Sequence, residues 1–206
     1  MTTELLLALC AFAFISSITP GPNNLMLMTS GINFGLARTV PHMMGVVLGF
    51  TLMIALVGIG IMQLIEAVPG AGTAIQVASG LYLLWMAWKI ATTETSPAER
   101  ADGARDAAKP FSFVQAALFQ WVNPKAWTMA LTAISAYAPK SQGWAGVIAV
   151  ALVFGLINLP STGAWAVMGA KLRRFLSDPA RLKAFNVTAA VVLVASLYPM
   201  FAGMHI

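Results

Sequence analysis

Two short polar strings interrupt long apolar runs in this chain, and they hold the residues best suited to chemistry. The first is Thr19-Pro20-Gly21-Pro22-Asn23-Asn24; the second is Gln120-Trp121-Val122-Asn123-Pro124-Lys125. Side-chain amides both donate and accept hydrogen bonds, and a lysine ammonium is a three-fold donor. Such groups recognise a small polar molecule; they do not make a nucleophile. Nothing elsewhere supplies one: there is no Gly-x-Ser-x-Gly string, and the only histidines are His42 and His205. That counts against a hydrolase. One cysteine, Cys10, excludes an internal disulfide and a Cys-x-x-Cys redox pair. No set of His, Cys or Asp ligands suggests a metal site, and no cofactor is expected.

The elements that must carry these strings follow from composition. Of 206 residues, 59% are apolar and 9% charged, with a mean hydropathy of +0.80. A soluble domain carries about 45–50% apolar and about 25% charged residues, so lipid is the expected solvent and the expected fold is all-α. About 20 apolar residues cross a bilayer as helix. On that measure six spans are expected, at 4–30, 41–64, 71–91, 112–134, 144–168 and 185–204. The start, Met1-Thr2-Thr3-Glu4, lacks a basic n-region, so the first span is expected to be retained rather than cleaved.

The net charge of +5 fits this division better than it fits a nucleic-acid partner. Arg38 follows span one; Lys89, Arg100, Arg105 and Lys109 follow span three; Lys171, Arg173, Arg174, Arg181 and Lys183 follow span five. Only Lys140 lies on the opposite side, and no aromatic residues interleave with the basic ones in the manner of RNA-binding segments. Cytoplasmic loops collect cations, which puts these three connectors inside and both termini outside. Trp85 and Trp88 beside Lys89 are expected at the inner interface, with Trp144 and Tyr198 at the outer one.

Prolines in both polar strings break their helices, because each lacks an amide donor and clashes with the preceding turn. Carbonyls freed in lipid need protein or water partners, so both breaks should face inward. A packing kink can explain one such break. Two breaks, in the first helix of each three-span half, have the pattern of an inverted repeat with a substrate site near the midplane. Aligning Pro22 with Pro124 sets Gly21 opposite Asn123 and Asn23 opposite Lys125. The chain then reads as one transporter domain over 1–206, with half-repeats 1–91 and 112–206 and a solvated cytoplasmic linker at 92–111. Lys125 lies about 13 residues, or roughly 20 Å, along span four, where a cation is costly unless paired or solvated. Snorkelling is one account; the Asn123-Pro124 break beside it favours a functional cation. Asn158 and Pro160 mark a third interruption, in span five. Gly31 and Gly35, then Gly45 and Gly49, are small-residue pairs suited to close helix packing or to a homodimer contact. His42, near the start of span two, reads as a polar end residue.

The strings Thr19 to Asn24 and Asn123-Pro124-Lys125-Ala126, with Gly45, Gly49 and the Leu84-Trp85-Met86-Ala87-Trp88-Lys89 end of span three, resemble the LysE/RhtB family of amino-acid exporters over nearly the whole chain. The Thr-Pro-Gly-Pro-Asn-Asn form and the Trp-Lys end are most similar to that family's cysteine and O-acetylserine exporters. The resemblance implies a bacterial inner-membrane carrier that moves amino acids or close derivatives outward, driven by the proton gradient. Many relatives carry Asp after Pro-Gly-Pro where this chain has Asn23. Glu4 and Glu66 lie near span ends, so a deep acid is missing and neutral zwitterions are expected rather than lysine or arginine. In this reading the substrate carboxylate meets Lys125 and amides at a broken-helix N-terminus. Its ammonium meets Asn23, Asn24, Asn123 and freed carbonyls, with Gln120 in the same group. The halves rock about Thr19, Pro20, Gly21, Pro22 and Pro124. The rival is a non-transporting scaffold, which needs neither the matched breaks nor Lys125; an exporter of a basic amino acid or another small metabolite is the other alternative.

Overall fold

A computed structural model describes residues 1–61, 65, 67–93, 109–176 and 178–198. Glu66, Arg100, Arg105, His205 and most of the 92–111 linker lie outside the described residues. The described chain is helical: α1 (Thr3–Ile18), α2 (Pro22–Phe34), α3 (Leu36–Gly58), α4 (Ala71–Ala91), α5 (Phe113–Phe119), α6 (Pro124–Tyr137), α7 (Gly143–Leu172) and α8 (Pro179–Ala195), with 3₁₀ turns at Gln120–Val122 and Lys140–Gln142. Helices α3, α4 and α7 are long and apolar enough to cross a membrane; α1 and α2, bent by 54° at their break, make a fourth span if taken together.

The surface is apolar as well as the core, and the core also holds polar groups. Leu7, Leu48, Leu52, Ile148, Leu152 and Leu156 are exposed, whereas Asn24, Asn33, His42, Gln120, Asn158 and Asn186 are buried. Exposed apolar and buried polar groups are the informative deviations from ordinary burial, and this combination suits a protein whose outer solvent is hydrocarbon. Buried amides find one another across helices. Asn33 and Asn186 exchange hydrogen bonds of 3.0 and 3.3 Å between α2 and α8.

Helix boundaries show local chemistry that apolar length alone missed. Helix α3 starts at Leu36 and runs through Pro41, because Gly35, at φ 79°, makes the turn that separates it from α2. Gly35 is therefore a connection residue, with the Arg173 guanidinium as its neighbour, and it does not pack a helix face. Helix α8 begins at Pro179, earlier than 185, since the Asp178 carboxylate accepts from the Ala180 and Arg181 amides and proline suits the first helical position. Arg181 and Lys183 thus lie inside α8, near its start.

Helix α7 is unbroken through Pro160, contrary to the expected interruption. The Ser161 hydroxyl donates to the Ile157 carbonyl at 2.9 Å and Thr162 to Asn158 at 2.7 Å; neither is the Leu156 carbonyl, whose helical donor Pro160 lacks. This continuous helix packs against α1, α2 and α3. It is the post against which the broken first span rests.

His42 is also not a polar end residue. It is fully buried, edge-on to Phe111 with ring centroids 5.5 Å apart, and neither ring nitrogen has a partner. The far side of this aromatic group holds Lys89, whose ammonium lies 4.7 Å from the Phe111 ring centre and 5.4 Å from that of Trp85.

The other glycines make close helix contacts. A Cβ on Gly31 would strike the Ala166 carbonyl oxygen and approach the Ala170 nitrogen to 2.9 Å; Gly45 and Gly49 lie equally tight against α5 at Phe113, Ala116 and Ala117. Because the obstacles at Gly31 are backbone, a side chain there must push α2 off α7. Gly31→Val should destabilise the protein by about 1–3 kcal/mol, lowering the melting temperature of the purified protein by several degrees. Gly72→Val, with nothing within 4 Å of its added Cβ, should melt close to wild type.

Candidate functional site

The site grows out of the first helix break. Pro20 and Pro22 have no amide hydrogen, and Gly21 is extended at φ −175°, so α1 ends with carbonyls that no helical turn satisfies. Side chains take them one after another. The Thr19 hydroxyl donates to the Ser16 carbonyl at 3.0 Å; Asn24 Nδ2 donates to Ser17 at 2.7 Å and to Thr19 at 2.8 Å; Trp165 Nε1 donates to Ile18 at 3.0 Å. The remaining donor comes from the second break. Lys125 Nζ donates to the Thr19 carbonyl at 2.9 Å, the Thr19 hydroxyl at 2.8 Å and the Pro20 carbonyl at 3.4 Å.

The second break has its own local cause. After α5 the chain tightens into the 3₁₀ turn and then becomes extended at Asn123, whose Oδ1 accepts from the Lys125 amide at 3.1 Å. Asn123 is the N-cap of α6 and Pro124 its first residue, just as Gly21 and Pro22 begin α2. Asn123→Ala should cost about 1 kcal/mol through loss of the cap, read as a melting temperature lower by about 2–4 °C.

A reciprocal amide pair joins the breaks a second time. Asn23 Nδ2 donates to Gln120 Oε1 at 2.8 Å, and Gln120 Nε2 donates back to Asn23 Oδ1 at 3.2 Å and to the Ala116 carbonyl at 2.8 Å. Gln120 is fully buried.

Between the breaks lies a cavity of about 30 Å³, room for roughly two water molecules. Gly21, Asn23, Asn24, Asn123, Lys125 and Asn158 line it; Gln120 reaches it only through Asn23, and Pro160 is not part of its wall. Thr19 and Pro20 instead hold the lysine, while Pro22 and Pro124 start the second helix of each pair. The polar string Asn158 to Thr162 of span five supplies Asn158 and Thr162 to the wall, whereas sequence reasoning missed Ser16 and Ser17 on the polar wall and Val46, Phe50 and Met129 on the apolar one. Ser17 stands out because its buried hydroxyl has no partner. It stands two residues before Thr19, in the last turn of α1. The lining contains one cation and no acid, and among the described residues no group of three His, Cys, Asp or Glu is placed to hold a metal.

A family model described as LysE type translocator matches residues 14–196. The chain belongs to the LysE family. It is accordingly a membrane transport protein rather than an enzyme. It is 32% identical over 196 residues to cysteine/O-acetylserine efflux proteins of Escherichia coli (strain K12) and Shigella sonnei (strain Ss046), covering 94% of this chain and 96% of each relative. No solved structure matches the chain. The LysE match spans both helix breaks and the lysine that joins them.

Proposed function

We propose that this LysE-family chain exports neutral, zwitterionic amino acids or close derivatives from the cytoplasm across the bacterial inner membrane, coupled to the proton gradient. The observation that carries this reading is the lone Lys125 cation bridging two broken helices in a cavity wall without an acid. An uncompensated cation attracts a carboxylate and repels lysine or arginine. The substrate carboxylate takes Lys125, and its ammonium takes freed carbonyls and the amide oxygens of Asn23, Asn24 and Asn123, with Gln120 acting through Asn23.

The names of the relatives support small, neutral substrates of the cysteine and O-acetylserine kind. Six spans, arranged as inverted half-repeats 1–91 and 112–206 around the 92–111 linker, supply alternating access. Both helix pairs restart at a proline in the first helical position, which supports corresponding roles for Pro22 and Pro124. Cation placement supports both termini outside. The cavity is smaller than an amino acid, so loading requires the halves to part about Thr19 to Pro22 and Pro124.

Everted membrane vesicles test the reading. With an imposed proton gradient, labelled cysteine or O-acetylserine should accumulate inside, lysine should not, and an uncoupler should abolish accumulation. Uptake of lysine in preference to the neutral compounds would overturn the assignment.

A further inference from the structure

We propose that the Thr19 carbonyl, the Thr19 hydroxyl and the Pro20 carbonyl form a subsite for a primary ammonium group, which Lys125 occupies as a tethered stand-in when substrate is absent. The proposal rests on the reading of this cavity as the transport site and adds how the two charges of a zwitterion are handled there.

Three acceptors converge on one nitrogen, at 2.9, 2.8 and 3.4 Å. An R–NH₃⁺ group has three donors and no acceptor, so the cradle matches it proton for proton. The oxygens lie at the C-terminal end of α1, where the aligned peptide dipoles favour a cation without any carboxylate. A quaternary ammonium has no proton to give, and an N-acylated amine has neither the charge nor three donors.

Gly21 shows that the lysine chain is accommodated by design of the backbone. At φ −175° any residue could stand there, so conformational freedom does not explain the glycine. A Cβ would come within 2.8 Å of Lys125 Cδ and 3.2 Å of its Nζ. The missing methyl is the space through which the lysine reaches the cradle.

The lysine belongs to α6 and the cradle to the α1–α2 break, so occupancy ties the two breaks together. A zwitterion can exchange with it completely. Its ammonium replaces Nζ on the three oxygens while its carboxylate pairs with the displaced Lys125. A simple amine leaves the lysine without a counter-charge, and a simple acid leaves the cradle empty; both charges are needed to release the tie. Thr19 and Pro20 are exposed in the chain, so in detergent an amine smaller than an amino acid reaches the cradle without the halves parting.

The test is thermal unfolding of the purified full chain in detergent with ethylammonium chloride, against tetramethylammonium chloride at equal concentration. Lys125→Ala vacates the cradle, and ethylammonium at several times its dissociation constant should raise the melting temperature by about 2–4 °C, with no rise from tetramethylammonium. Wild type, its cradle filled, should respond to neither. Gly21→Ala keeps the lysine but pushes its chain aside, and should gain the same response; it carries the test alone if Lys125→Ala does not fold. Failure of the variants to respond to ethylammonium, or an equal response to tetramethylammonium, overturns the subsite. Binding is read without transport. A responsive protein that exports nothing therefore keeps the subsite and loses the transport reading, and export without the response does the reverse.

Discussion

Lys125→Gln should export its substrate at no more than about one-tenth the wild-type rate at equal membrane level. A hydrogen bond to a charged group contributes about 1.5–3 kcal/mol, which corresponds to roughly a 10- to 150-fold loss if the carboxylate contact is needed for loading. The neutral, shorter glutamine also leaves the Pro20 carbonyl without its present donor and the Thr19 carbonyl with Asn24 Nδ2 alone. Lys125→Arg keeps the charge but brings a planar fork into the narrow passage under Gly21, and should recover only part of the rate. The measurement is efflux of labelled cysteine or O-acetylserine from preloaded cells, normalised to the amount of inserted protein. Wild-type efflux from Lys125→Gln would remove the lysine from the site.

Asn23→Asp should reverse the preference between neutral and cationic amino acids. Asn23 lines the same cavity as Lys125, so a carboxylate there neutralises the cation and offers a partner to a basic side chain. The pair with Gln120 survives in part, since Gln120 Nε2 can still donate to the new oxygen while the Asn23 donor of 2.8 Å is lost. Export of the neutral substrate should fall about 10-fold or more, on the scale of one charge-assisted contact, and lysine export should appear. The check is the ratio of lysine to neutral amino acid released by cells expressing each form. An unchanged ratio would show that the charge at this position does not set selectivity.

The helical, membrane-type character of the chain was legible because lipid burial leaves a compositional mark that no soluble fold shares. The boundaries of α4 at 71 and 91 follow from apolar length, since no competing signal lies inside that stretch. Where other chemistry intervened, length misled. Gly35 splits the segments around it because positive φ turns the chain, whereas α7 runs on through Pro160. The polar strings revealed the site since proline and amides are conspicuous in an apolar sequence. The partner of Lys125 was hidden: its acceptors are mainly backbone carbonyls, which carry no residue-type signature, and they lie more than a hundred positions away. Ser16 and Ser17 were equally hard to pick out, because hydroxyls on apolar helices usually bond back to their own backbone. Packing shows that both line the cavity.

The central claim is export of a neutral zwitterion through the Lys125 site, and it is tested most directly by the amino-acid profile of the growth medium. An exporter-deficient bacterium expressing this chain is compared with one carrying empty vector and one expressing Lys125→Gln at equal membrane level. The account predicts selective accumulation of one or a few neutral amino acids or derivatives, lost in the variant. Accumulation of lysine or arginine alone, or no accumulation from a folded and inserted protein, would contradict it.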